Sequence, residues 1–135
     1  MTSAPEPPFC RYIDTLNDEH FVACLDLGHC GIVGEEAQDA IRTLGHDRLH
    51  ALHVHDNNYR ADMHTLPGMS EMNWEEIMKA LAEVDYDGEL TFEADAFLHH
   101  FPRDFKPTAV KFMVEMGRYL IGRYDFYRKE MAENK

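Results

Sequence analysis

Three short apolar runs constrain this chain more than anything else in it: "FVACLDL" at 21–27, "LHALHVHD" at 49–56 and "ELTFEA" at 89–94. Runs of this length, rich in Val, Leu and Phe, read as strands. The segments between and after them carry a helical period. "GEEAQDAIRTLG" sets Ala37, Ala40, Ile41 and Leu44 on one face and stops at Gly45. "NWEEIMKALAEV" opens on Asn73 with Glu76 three residues on, and presents Trp74, Ile77, Leu81 and Val84. Pro107 suits the first turn of a long helix reaching to about Glu130, with Val110, Met113, Val114, Leu120, Ile121 and Tyr124 as its buried stripe. Ahead of the first strand, Phe9, Tyr12, Ile13 and Leu16 predict a short amphipathic helix. Strands alternating with helices imply an α/β protein with a parallel sheet and right-handed crossovers.

The 135 residues suffice for one domain. Residues 1–8, rich in proline, are expected to be loose, and 9–135 to form the folded body. No apolar run approaches the roughly 18 residues that span a bilayer, so no membrane partner is expected. The start "MTSAPEPPFC" lacks the basic patch and apolar core of a signal peptide. Cys10, Cys24 and Cys30 are odd in number and without C-x-x-C spacing, which points to reduced thiols in the cytoplasm. The net charge is -12, from 13 basic and 25 acidic residues. That balance argues against nucleic acid as a partner and suits divalent cations. The one basic-aromatic stretch, "GRYLIGRYDFYRK", has helical spacing and reads as a solvated helix face.

Alternate strand residues share a face. Ala23, Leu25 and Leu27 fall together, as do Leu52 and Val54, and Leu90, Phe92 and Ala94. That set is apolar and should pack on the helices. The other face carries Val22, Cys24 and Asp26, then Ala51, His53 and His55, then Thr91 and Glu93. It turns polar toward the C-terminal strand ends, where parallel-sheet proteins place their sites. Asp26, His53 and Glu93 are therefore expected to converge and to bind a divalent cation through mixed oxygen and nitrogen atoms. His29 follows Asp26 by three residues. Asp62 and His64 form a D-x-H pair in the next loop, with Asn57 and Arg60 nearby as candidate contacts for a hydroxyl or phosphate oxygen, or as solvated loop residues. His55 would sit at the rim. His50 would face the helices, and His20, His46, His99 and His100 read as structural or surface groups.

The ordered set "CLDLGHC", "LHVHDN", "DMHTLPG", "MNWEEIMKAL" and "DYDGELTFEA" resembles the C-terminal part of the xylose-isomerase-like TIM barrels. The superfamily includes sugar phosphate isomerases and epimerases, ketose 3-epimerases, inosose dehydratases and endonuclease IV. The resemblance covers about residues 9–125 and implies a partial (β/α) barrel. It implies Asp26, His53 and Glu93 as ligands of Mn, Mg, Co or Zn, with Glu93 also moving a proton through a metal-stabilised enediolate. His29 would contact substrate or a second metal. Asp62 and His64 match a D-x-H pair that supplies further zinc ligands in endonuclease IV, while His55 departs from the nuclease pattern.

An eight-stranded barrel takes roughly 250 residues. Three strands cannot close one, and the fourth ligand, a second carboxylate, has no counterpart here. The expectation is a sugar or sugar-phosphate isomerase or epimerase, completed by homo-oligomerisation or by a complementing barrel segment. The alternatives are a zinc-dependent endonuclease IV-like phosphodiesterase and a non-catalytic metal-binding half-barrel.

Overall fold

Asp26 ends the first strand and starts the first helix of the sheet layer. In the computed structural model, which describes residues 5–135, strand β1 (Ala23–Asp26) passes directly into helix α2 (Leu27–Ile32). The Asp26 side chain accepts the His29 N–H at 2.8 Å, capping α2. Leu27, expected as a strand residue, is thus the first residue of α2 and is fully buried.

β1 pairs in parallel with β2 (Leu49–His53), Leu25 opposite Leu52 and Asp26 opposite His53. Ala23 faces Leu49 while Cys24 faces Ala51, so His50 is the extra residue of an irregularity. That corrects its expected helix-facing position: His50 is exposed, its Nε2 2.9 Å from the Asp47 carbonyl. The third run does not form a full strand. It contributes one parallel bridge, Val54 with Phe92, built from Val54 N–H to the Thr91 carbonyl (2.8 Å) and Glu93 N–H to the Val54 carbonyl (2.9 Å). Among the described residues these two are the segment's only ladder bonds, too few to make it a strand.

Helix α1 (Pro8–Leu16) precedes the sheet, and α3 (Ala37–Arg48) links β1 to β2. Within α3 the backbone leaves the helix at Gly45 (φ 73°, ψ -179°), a left-handed conformation that suits glycine and ends the regular stretch where the sequence expects it. In α4 (Trp74–Glu83), Asn73 accepts the Glu76 N–H at 3.1 Å. The expected α3 and α4 faces form the core: Ala40, Ile41, Leu44, Ile77 and Leu81 are buried against Leu52 and Val54. Burying each large aliphatic side chain contributes about 1.5–3 kcal/mol.

Two stripes are corrected. In α1 the buried residue is Cys10, with Ile13 half-buried, while Tyr12 is exposed. In α6 (Lys106–Glu133), entered through Pro107 as expected, Leu120 of the expected stripe is buried and Tyr124 packs on the core, but Val110, Val114 and Ile121 are exposed and Ala109, outside that stripe, is buried. α6 packs mainly on α4, and Arg123 and Tyr127 clasp Glu75, with Tyr127 Oη 2.6 Å from Glu75 Oε1. A four-residue helix, α5 (Ala96–His99), stands between the third run and α6. No helix among the described residues is long and apolar enough to cross a membrane.

Candidate metal centre

The polar ends of the strands converge on His55. Its ring is fully buried, its Nε2 2.7 Å from Asp26 Oδ1 and its Nδ1 4.0 Å from Asp62 Oδ1. This corrects the rim position expected for His55 and makes it the central residue of the cluster. His53 shares its strand face but is about half exposed. Its Nδ1 lies 3.4 Å from Glu93 Oε2 and 3.9 Å from Asp26 Oδ2. The inner sheet face, with Cys24 also exposed, opens to solvent.

Two groups of side chains could each hold a cation: Asp26, His55 and Glu93, and His29, His55, Asp62 and His64. Within each, one atom per residue lies within 4.8 Å of the others. Two observations fit a cation. His55 Nδ1 and Glu93 Oε2 are both shielded from solvent and make no hydrogen bond. A buried polar atom without a partner costs about 1–3 kcal/mol, and a divalent ion would satisfy both kinds of donor. If the His55 Nε2–H donates to Asp26, the carboxylate fixes the tautomer that leaves the Nδ1 lone pair free.

His29 bridges the two groups, its Nδ1 3.1 Å from Asp26 Oδ2 and its Nε2 3.0 Å from Asp62 Oδ2. His64 Nε2 is 3.1 Å from Asp62 Oδ1, and its ring stacks on His55 at 4.3 Å between centroids. Burial raises the Asp62 carboxyl, but hydrogen bonds with His29 and His64 outweigh it and hold it below its ordinary range. Burial likewise works against the His64 imidazolium. The Asp62 carboxylate and the Glu93 carbonyl outweigh it and raise His64 above its ordinary value. His64 sits at φ 45°, a left-handed conformation that His adopts less readily than glycine and that aims its ring at the cluster.

Asp56 and Asn57 deliver Asp62 and His64, and sequence reasoning missed this role. Both are fully buried. The Asp56 carboxylate accepts N–H groups from Gly68 and Ser70 at 3.0 Å and Met72 at 3.1 Å. Asn57 donates to the Gly28 carbonyl at 2.8 Å, so it is a tether and not a solvated loop residue. The polar pair directly after a strand was the available signal. Arg60 is exposed and joins neither group. Besides the six cluster residues, His99 belongs to the site's surroundings: with Asp95 it lines an open cleft of about 640 Å³ that also reaches Asp62, His64 and Glu93.

A parallel βα array whose strand ends carry an acid–histidine cluster is the arrangement of part of an α/β barrel. The chain belongs to the xylose isomerase-like TIM barrel family, which it matches over residues 8–111. It is 32% identical over 124 residues to the uncharacterized protein y4fM of Sinorhizobium fredii, covering 92% of this chain and 33% of that protein. It is 33% identical over 82 residues to the D-psicose 3-epimerase of Enterocloster bolteae, covering 61% of this chain and 25% of that enzyme. A crystal structure of a D-tagatose 3-epimerase-like protein matches the fold with a TM-score of 0.57 at 20% identity, over 78% of this chain and 38% of that one. The chain thus spans a quarter to a third of the length of these curated relatives.

Proposed function

We propose that this chain carries the metal-binding portion of a sugar or sugar-phosphate isomerase or epimerase. The observation that carries the reading is the pair of solvent-shielded atoms without a hydrogen-bond partner, His55 Nδ1 and Glu93 Oε2, on two residues grouped with Asp26. Asp26, His55 and Glu93 would hold Mn, Mg, Co or Zn, with His53 close enough to Glu93 to join them. A cation there would supply positive charge against the oxyanion that develops when a proton leaves the carbon beside a carbonyl. Glu93 removes or returns that proton, its carboxylate standing at the cleft. His29 orients a substrate hydroxyl from the opposite side, its ring held by Asp26 and Asp62. The open inner face supports completion by a second copy or by a complementing barrel segment. Three free cysteines support a cytoplasmic setting.

The test measures bound metal in the wild type and in Glu93→Gln, alongside a ketose epimerisation assay and sedimentation at micromolar concentration. Metal that falls in the variant, with association of the wild type, is the expected result. Unchanged metal content would remove the site, and a stable monomer would remove completion by a second copy. The four-residue group with Asp62 and His64 favours a second reading, a zinc-dependent phosphodiesterase. The charge of -12 weighs against it, since a DNA enzyme needs a basic face.

A further inference from the structure

The cleft beside Glu93 has a chemistry that bears on what end of a substrate it admits. Its walls carry the carboxylates of Asp62, Glu93 and Asp95 and the imidazoles of His64 and His99, and no lysine or arginine. Its apolar part includes Phe92, Leu98 and Met113. At about 640 Å³ it is of the size that holds a small organic ligand. In TIM barrels a phosphate commonly settles at the start of a short extra helix beyond the last strands. Here the third run is followed by α5, but it has only four residues, and the position before it is Asp95. The Asp95 side chain caps no helix N–H. Its Oδ2 lies 3.2 Å from His99 Nε2 and its Oδ1 3.6 Å from His64 Nδ1. The carboxylate is therefore aimed along the cleft wall, and its charge is not consumed by the backbone.

Building on the sugar-site reading above, we propose that Asp95, held by His99, is a specificity-determining residue: it accepts hydroxyls from an uncharged polyhydroxy substrate and turns away a phosphorylated one. A phosphate dianion would meet three carboxylates with only imidazoles to offset them, whereas the hydroxyls of a neutral polyol find acceptors in the Asp95 and Glu93 carboxylates.

The test follows backbone amide NMR shifts of residues 93–99 in the intact chain during titration with a free ketohexose, the same ketohexose 6-phosphate, and inorganic phosphate. The wild type is expected to bind the free sugar at least about tenfold more tightly than its phosphate. Asp95→Asn is expected to narrow that preference by about tenfold or more, and His99→Gln to narrow it less, with amide spectra otherwise unchanged. In the wild type the preference should also shrink as salt is raised from about 0.01 M to 0.15 M, because screening tightens over that range. A preference untouched by Asp95→Asn and by salt, or tighter binding of the phosphate, overturns the proposal and leaves the sugar site standing. Binding of neither sugar at this cleft overturns both.

Discussion

A Cβ added to Gly28 would stand 2.7 Å or less from three atoms of the His55 ring, Cε1, Nδ1 and Nε2. The absence of a side chain at Gly28 is what lets the imidazole lie flat against the first turn of α2 and reach Asp26. Gly28→Ala is therefore expected to destabilise the fold by about 1–3 kcal/mol through overpacking. Urea unfolding measures it. Metal affinity should fall in the same variant, because relief of the clash displaces the ring.

His55 and His53 are expected to separate in metal titrations. His55→Gln should weaken Mn or Zn binding by about 10–100-fold or more, the range seen even when a residue that merely orients a ligand is lost. His53→Gln should weaken it by less than about tenfold, since that ring is half exposed and 3.9 Å from Asp26. Equal losses by calorimetry would return His53 to the place its strand position suggests.

That contrast shows how much was legible. The D-x-x-H at Asp26–His29, the D-x-H at Asp62–His64, and the late Glu93 could be read from spacing alone, as could the α3 and α4 faces. Strand parity places His53 and His55 on one side and ranks the inner one first. It carries no information about the loop of residues 57–72, which the Asp56 carboxylate folds back and which covers His55 while leaving His53 bare. The stripe on α6 held at Leu120 and Tyr124 and failed elsewhere for a related reason. Val110, Val114 and Ile121 are spaced for burial, but α4 packs on the flank that carries Leu120, Arg123 and Tyr127. The third run reads as a strand because its residues favour extension, while a strand also needs a ladder of paired neighbours, and this run makes one bridge.

Asp56→Ala should release the loop it gathers. Three backbone N–H groups lose their acceptor, and a cost of about 2–3 kcal/mol is expected after partial rescue by water. Hydrogen exchange at Gly68, Ser70 and Met72 should accelerate well beyond that of α4 amides. Uniform acceleration would mean that the carboxylate serves global stability alone.

Thiol labelling should divide the cysteines. Cys24 is exposed on the open sheet face and should react first. Burial pushes the Cys30 thiol up to about 12 and also raises Cys10, so both stay protonated and slow near neutral pH. Mass spectrometry after brief alkylation tells the three apart.

In the cation-free protein His64 should titrate above its ordinary 6.5, and Asp62→Asn should lower it. A raised histidine stabilises the fold fully below pH 6.5, and that contribution fades as pH rises through the folded value. Asp62, held below 3.8, contributes above 3.8, and its share fades as pH falls through the folded value. The pair should accordingly help most between 3.8 and 6.5. NMR of the imidazole ring gives the midpoint directly, and a value below 6.5 would contradict the ion pair.

The double duty of Asp26 limits how the centre could be re-engineered. Its carboxylate holds the His29 amide at the start of α2 while touching the His55 ring. A longer glutamate, or a softer cysteine, would alter the entry into the helix together with the ligand set. Attempts to retune which ion is preferred would do better to begin at Glu93 or Asp62, whose side chains carry no such backbone obligation.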